Sequence, residues 1–118
     1  MPQLIEMDRT VTYAQQLEDV DAGPVVLINK FDVPQDEVDQ FVAGWAENAR
    51  YLKHKPGYIS AQLHRGIAGS GVFINVAIWE SLDAFKRAQE GFRPNISPRV
   101  VAAPHVFRRV AVEDVCLA

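Results

Sequence analysis

Asn75 is the residue of this sequence whose position most needs a chemical explanation. It belongs to the alternating set Phe73, Asn75, Ala77, Trp79 of a strand-like segment, and the other members of that set are apolar. A side-chain amide buried in such company costs about 1–3 kcal/mol unless it finds hydrogen-bond partners. Either it satisfies a neighbouring backbone group at a sheet irregularity, or it faces a cavity whose contents partner it. Asn29, inside the apolar run Val25-Val26-Leu27-Ile28-Asn29-Lys30-Phe31, raises the same question. Two such amides in one small sheet favour an apolar cavity with a few placed polar groups. Trp79 is more often core than site, but its indole N–H needs a partner when buried. His64 alternates with Tyr58, Ser60 and Gln62, so it could share the cavity and work there as a general base near neutral pH. An isolated strand histidine is more commonly a surface residue.

Other chemistry finds little support. No pair among His54, His64 and His105 has the i, i+2 or i, i+4 spacing of a metal site. The chain holds no G-x-G-x-x-G, P-loop or G-x-S-x-G motif, so neither a metal nor a nucleotide cofactor is expected. Cys116, the single cysteine, cannot form an internal disulfide and is read as an inert thiol. A net charge of −3 without a basic block argues against nucleic acid. No apolar stretch is long enough for a membrane span and the opening residues do not read as a signal peptide, so a cytoplasmic protein is expected.

The elements that must hold these residues can be read from periodicity. At 118 residues and 48% hydrophobic content the chain has the size and composition of one domain. Residues 1–23 show no sustained period, and the turn-rich Asp21-Ala22-Gly23-Pro24 separates them, as an arm that could dock on a partner, from a domain spanning 24–118. Residues 25–31 read as a strand. Beyond Pro34, the residues Val38, Phe41, Val42, Trp45, Ala49 and Leu52 form one helical stripe, stopped by Pro56-Gly57. Residues 58–65 alternate as a strand with two different faces, and a glycine-rich turn leads into 72–79, a strand apolar on both faces. Ser81 caps a second helix over 81–89, with Leu82, Phe85 and Ala88 inward. A short helical turn near 99–102 and a last strand over 105–113 complete the set.

The order β-α-β-β-α-β is that of an α+β, ferredoxin-like sandwich. Two helices cover one sheet face only, while the 72–79 strand is apolar on both. The economical cover for the second face is another copy of the same sheet, which predicts a homodimer closing as a dimeric α/β barrel. Phe73, Asn75, Ala77 and Trp79 are assigned to the sheet–sheet interior, and Val72, Ile74, Val76 and Ile78 to the helix side.

The segment Phe73-Ile74-Asn75-Val76-Ala77-Ile78-Trp79-Glu80-Ser81, followed by Ala84-Phe85, resembles the third-strand motif N-x-x-x-W-x-S of the antibiotic biosynthesis monooxygenase superfamily. Pro56-Gly57-Tyr58 resembles that superfamily's entry to its second strand, and the likeness runs from about Pro24 to Val112. More specifically, the chain resembles the actinorhodin-type members that oxidise a tricyclic phenol to a quinone without metal or flavin. The resemblance implies a site of His64, Asn75, Trp79 and Arg99, with Asn29, Phe73 and Phe85 contacting substrate. A pocket tyrosine of those members corresponds to Phe85 here, which removes a phenolic O–H. Haem-degrading relatives share the asparagine matched by Asn29, but this chain has Ala88 and Pro98 near the places of their helix-borne tryptophan and haem-ligating histidine. Haem degradation is therefore disfavoured.

The implied activity is oxidation of an electron-rich aromatic, phenol or quinol to quinone, by molecular oxygen with no cofactor. The deprotonated substrate hands an electron to oxygen, and the protein supplies deprotonation, orientation and a dry site. His64 would assist proton removal, Asn75 and Trp79 would hold substrate or peroxide oxygens, and Arg99 would stabilise the enolate. Two rivals stand beside it: a non-catalytic dimeric barrel that binds a small hydrophobic ligand, and a structural paralogue whose pocket its own side chains fill.

Overall fold

The computed structural model describes residues 1–115, so Cys116 lies outside the described residues. The chain runs β1 (Gln3–Leu4), α1 (Tyr13–Gln16), β2 (Val25–Asp32), α2 (Val38–Leu52), β3 (Tyr58–Arg65), β4 (Val72–Trp79), α3 (Leu82–Gln89) and β5 (Val101–Phe107). The sheet order is β1-β5-β2-β4-β3. β2 pairs antiparallel with β4 and β5, β3 pairs antiparallel with β4, and β1 joins β5 in parallel. From β2 onward this is the ferredoxin-like α+β order read from the sequence. Within one chain the sheet stays open.

Local chemistry accounts for the helix ends. The Ser81 hydroxyl accepts a 3.0 Å hydrogen bond from the Ala84 N–H at the start of α3. The Asp21 carboxylate accepts from the Leu82 and Asp83 N–H groups, each at 3.1 Å, which ties the end of the arm to the positive pole of α3. Gly57 precedes β3 with φ +88°, and a Cβ there would run into the Ala84 side chain, so the turn that delivers Tyr58 needs glycine.

The last strand departs from expectation. There is no helical turn over 99–102: β5 begins at Val101, ends at Phe107, and carries Pro104 in its middle. Proline reads as a breaker in sequence, yet here its missing N–H falls on the outer side of β5, where pairing with β1 has already ended at Ala102. The arm also folds differently from a free segment. A capping box at Thr12 and Gln15 starts α1, and the Gln16 side chain donates to the Val106 carbonyl and accepts from the Val106 N–H, both at 2.8 Å. The arm is docked on its own chain.

The assignment of the two sheet faces is reversed. Phe73, Ala77 and Trp79 are buried in the two core clusters, which they share with Phe41 of α2 and Leu82, Phe85 and Ala88 of α3, so their row faces the helices. Val72, Ile74, Val76 and Ile78 lie on the open face. Alternation defines two rows without saying which is covered, and bulk decides it. Large aromatics fill the deep space beneath helices, whereas a row of β-branched residues makes a flat surface suited to another sheet.

The core is divided. One cluster gathers Phe31, Val33, Phe41, Phe73, Ile96, Val100 and Ala102. The other gathers Val25, Ala77, Trp79, Leu82, Phe85 and Ala88. Along β2 and β4 the boundary between them falls at Asn29 and Asn75, which stand directly opposite one another.

Candidate functional site

At that boundary lies a cavity of about 250 Å³, lined by Phe31, Ile96 and Ala102 of one cluster and by Ala77, Trp79 and Phe85 of the other. Asn29 and Asn75 face it from the sheet floor. Their amide oxygens are buried without a hydrogen-bond partner. No backbone irregularity consumes them, because β2 and β4 pair in unbroken register past both residues. Trp79, 2% exposed, forms the end wall, with Tyr58 edge-on at 5.5 Å between ring centroids and Phe85 at 6.0 Å. The helix roof contributes Trp45 and Asn48, and Met1, Pro2 and Leu4 of the arm also line the cavity.

No Asp, Glu, Lys, Arg or His side chain lines the cavity. His64 does not share it, and the reason is a β-bulge. Strict alternation groups Tyr58 with Ser60, Gln62 and His64, but the register of β3 against β4 shifts between Tyr58 and Ser60. The extra residue leaves Tyr58 opposite Trp79 on the helix side and sends Ser60, Gln62 and His64 to the open face opposite Ile78, Val76 and Ile74. Leu63, not His64, is the β3 neighbour of Asn75.

Arg99 also lies elsewhere. Its guanidinium holds Glu37 at 2.6 Å and Asp36 at 3.1 Å beside the turn that starts α2, with its side chain 58% exposed. The Arg99 hydrogen bond holds the Asp36 carboxyl below its ordinary range, and Asp36 raises Arg99 in return. Of the substrate-contact residues, Asn29 and Phe85 line the cavity, whereas Phe73 packs behind it on Phe41 at 4.9 Å. The structure thus brings together Asn29, Asn75, Trp79 and Phe85, and leaves His64, Arg99 and Phe73 outside.

Sequence reasoning missed Tyr13, Trp45, Asn48 and Tyr58 as lining residues. Trp45 was counted in the apolar stripe of α2, and only the spacing Thr12-x-x-Gln15 marked the helix that carries Tyr13. Burial pushes the Tyr13 phenol up to about 12.

Among the described residues, no group of three or more His, Cys, Asp or Glu side chains could hold a metal ion, and no helix is long and apolar enough to cross a membrane. Residues 24–91, more than half of the chain, match the sequence profile of the antibiotic biosynthesis monooxygenase family. The chain belongs to that family. A relative within it, deoxynogalonate monooxygenase of Streptomyces nogalater, is 33% identical over 78 residues, which is 64% of this chain and 65% of the relative. A mycobilin-producing heme oxygenase of Mycobacterium tuberculosis is 32% identical over 68 residues, 58% of this chain and 65% of that protein. The chain thus spans slightly under two thirds of these curated relatives. The solved structure of SnoaB, a cofactor-independent oxygenase from Streptomyces nogalater, superposes with a TM-score of 0.67 at 25% identity, over 79% of this chain and 99% of that one.

A heme oxygenase and a cofactor-independent oxygenase are therefore both similar to this chain. The cavity does not fit haem. Among the described residues its lining includes no histidine to serve as an axial ligand.

Proposed function

We propose that this protein is a cofactor-independent monooxygenase that oxidises an electron-rich aromatic, phenol or quinol to quinone, with molecular oxygen. The observation that carries this reading is the cross-strand pair Asn29 and Asn75, whose amide oxygens are unpartnered in an otherwise apolar cavity. Such a site accepts hydrogen bonds from a flat, mostly apolar molecule bearing hydroxyl groups. The resemblance to a cofactor-independent oxygenase supports it further.

With no charged side chain in the lining, the site suits a substrate that is itself readily deprotonated. For a ring methylene beside a phenol the reaction balances without any reductant. The substrate loses one proton, and its carbanion gives one electron to oxygen. The resulting radical and superoxide join through a new C–O bond, and the peroxide takes up the released proton. Loss of the remaining C–H proton, with cleavage of the O–O bond, then gives the carbonyl and one water. The four electrons that reduce oxygen all come from the substrate carbon. Asn75 and Asn29 orient the hydroxyl groups, Trp79 offers its indole N–H to the oxygen that gains charge, and the cluster residues exclude water. His64 and Arg99 have no part in this scheme.

The working form in this reading is a homodimer, with Val72, Ile74, Val76 and Ile78 meeting the same row of a second copy. Oxygen uptake with an anthrone- or naphthol-like substrate tests the activity. Asn75→Ala, which removes an orienting acceptor, should reduce the rate by about 10²-fold with the fold intact. A wild-type protein that binds such compounds without consuming oxygen would instead be a ligand-binding member of the family.

A further inference from the structure

The N-terminal arm lies outside the segment that matches the family profile, yet it builds part of the cavity wall. Three anchors fix it. β1 pairs with β5, Gln16 brackets Val106 of β5, and Asp21 accepts from the first N–H groups of α3. Between the first anchor and the second stands Tyr13, its ring packed against the cluster that contains Trp79 and Phe85.

Among the described residues that line the cavity, Tyr13 and Tyr58 carry a hydroxyl, and no serine or threonine is present. Among the described residues the Tyr13 hydroxyl has no hydrogen-bonded protein partner; this residue bonds through its backbone, its N–H donating to Glu6 and its carbonyl accepting from the Leu17 N–H. Three anchors and a reciprocal helix cap are thus spent on placing a phenol whose O–H the protein itself leaves unused.

We propose that Tyr13 is a catalytic residue, its phenolic O–H donating a hydrogen bond to the substrate oxygen that gains negative charge during oxidation, so that the arm is part of the active site. This rests on the oxygenase reading above. The raised pKa suits the role, because burial keeps the phenol neutral and therefore a donor. In an apolar enclosure a positioned donor acts on developing charge far more strongly than it does in water.

The test is Tyr13→Phe, which removes one oxygen and keeps the ring that packs on the core cluster. Oxygen uptake with an anthrone-like substrate is measured beside equilibrium binding of a hydroxyanthraquinone, followed by tryptophan fluorescence. We expect kcat to fall about 10- to 100-fold, with quinone affinity weakened only a few-fold and the melting temperature nearly unchanged. Unchanged kcat and unchanged quinone affinity in a folded variant would overturn the role of Tyr13 while leaving the oxygenase reading standing. Should the wild type consume no oxygen with any phenol, that reading fails and the binding arm decides alone: weaker quinone binding by Tyr13→Phe keeps Tyr13 at the ligand, and equal binding removes it. A wild type that neither consumes oxygen nor binds quinone overturns both.

Discussion

Replacing the two facing amides by leucine should make the protein more stable and less able to bind its ligand. Asn29 and Asn75 stand opposite one another across β2 and β4, each with a buried, unpartnered amide oxygen. A buried polar atom left unsatisfied costs about 1–3 kcal/mol, so Asn75→Leu alone should return roughly 2 kcal/mol, and the cavity has room for the larger side chain. For a domain of this size that is a rise in Tm of roughly 6–12 °C. Water that enters the cavity and partners the amide would hold the gain at the lower end. The two sites touch, so the double variant should gain less than the sum. Thermal melts by circular dichroism, at one fixed protein concentration, measure the stability, and oxygen uptake and quinone binding measure the cost. If Asn75→Leu instead lowers Tm by several degrees, the amide holds the sheet together and the ligand-partner argument is wrong. A variant that is stabilised but still binds quinone with native affinity would refute the functional half.

The sheet faces give a paired test: Val76→Asp should yield a folded monomer by sedimentation, whereas Ala77→Asp, which places a charge beneath the helices, should abolish folding, because an unpaired buried charge costs several kcal/mol. Phe85→Tyr adds a hydroxyl at the cavity wall, and oxygen uptake should rise or its pH profile shift, whereas in a packed core the change would only lower Tm. The raised Tyr13 pKa means that the unfolded chain loses this proton first, so stability is flat below pH 10 and falls between pH 10 and about 12, by up to about 1.4 kcal/mol per pH unit. Urea unfolding of wild type and Tyr13→Phe at pH 9 and pH 11 should show that fall in the wild type alone. Arg99→Ala should let the Asp36 carboxyl rise toward 3.8 in an NMR titration; its present depression contributes stability above that pH which is lost as acid protonates it.

The amides were legible in the sequence because polarity at one parity of an apolar strand is a local signal, and so were the ends of α3, where Ser81 and Asp83 act within a single turn. What lay beyond the sequence was set by tertiary contact. The rows on either side of β4 are both apolar, so nothing local told which one the helices cover. The bulge at Tyr58 and Ser60 adds one residue without a change in composition, and that one residue exchanges His64 for Leu63 beside Asn75. Pro104 is tolerated because of what lies outside β5, which is known only once the arm is docked. Arg99 carried a site role through resemblance across a loop, where its contacts with Asp36 and Glu37 could not be foreseen.

The outer margin of β5 has a consequence for solubility. β1 occupies it at Val101 and Ala102, Pro104 offers no N–H, and the Gln16 amide answers both backbone groups of Val106. A strand from another molecule therefore finds no run of free donors and acceptors along this side of the sheet, and growth by strand addition is blocked there. Proteolytic trimming of the arm would free the outward backbone groups of Val100, Ala102 and Val106. The loss would show first as aggregation, through a bared template for cross-β pairing, in protein whose remaining sheet and helices are still folded.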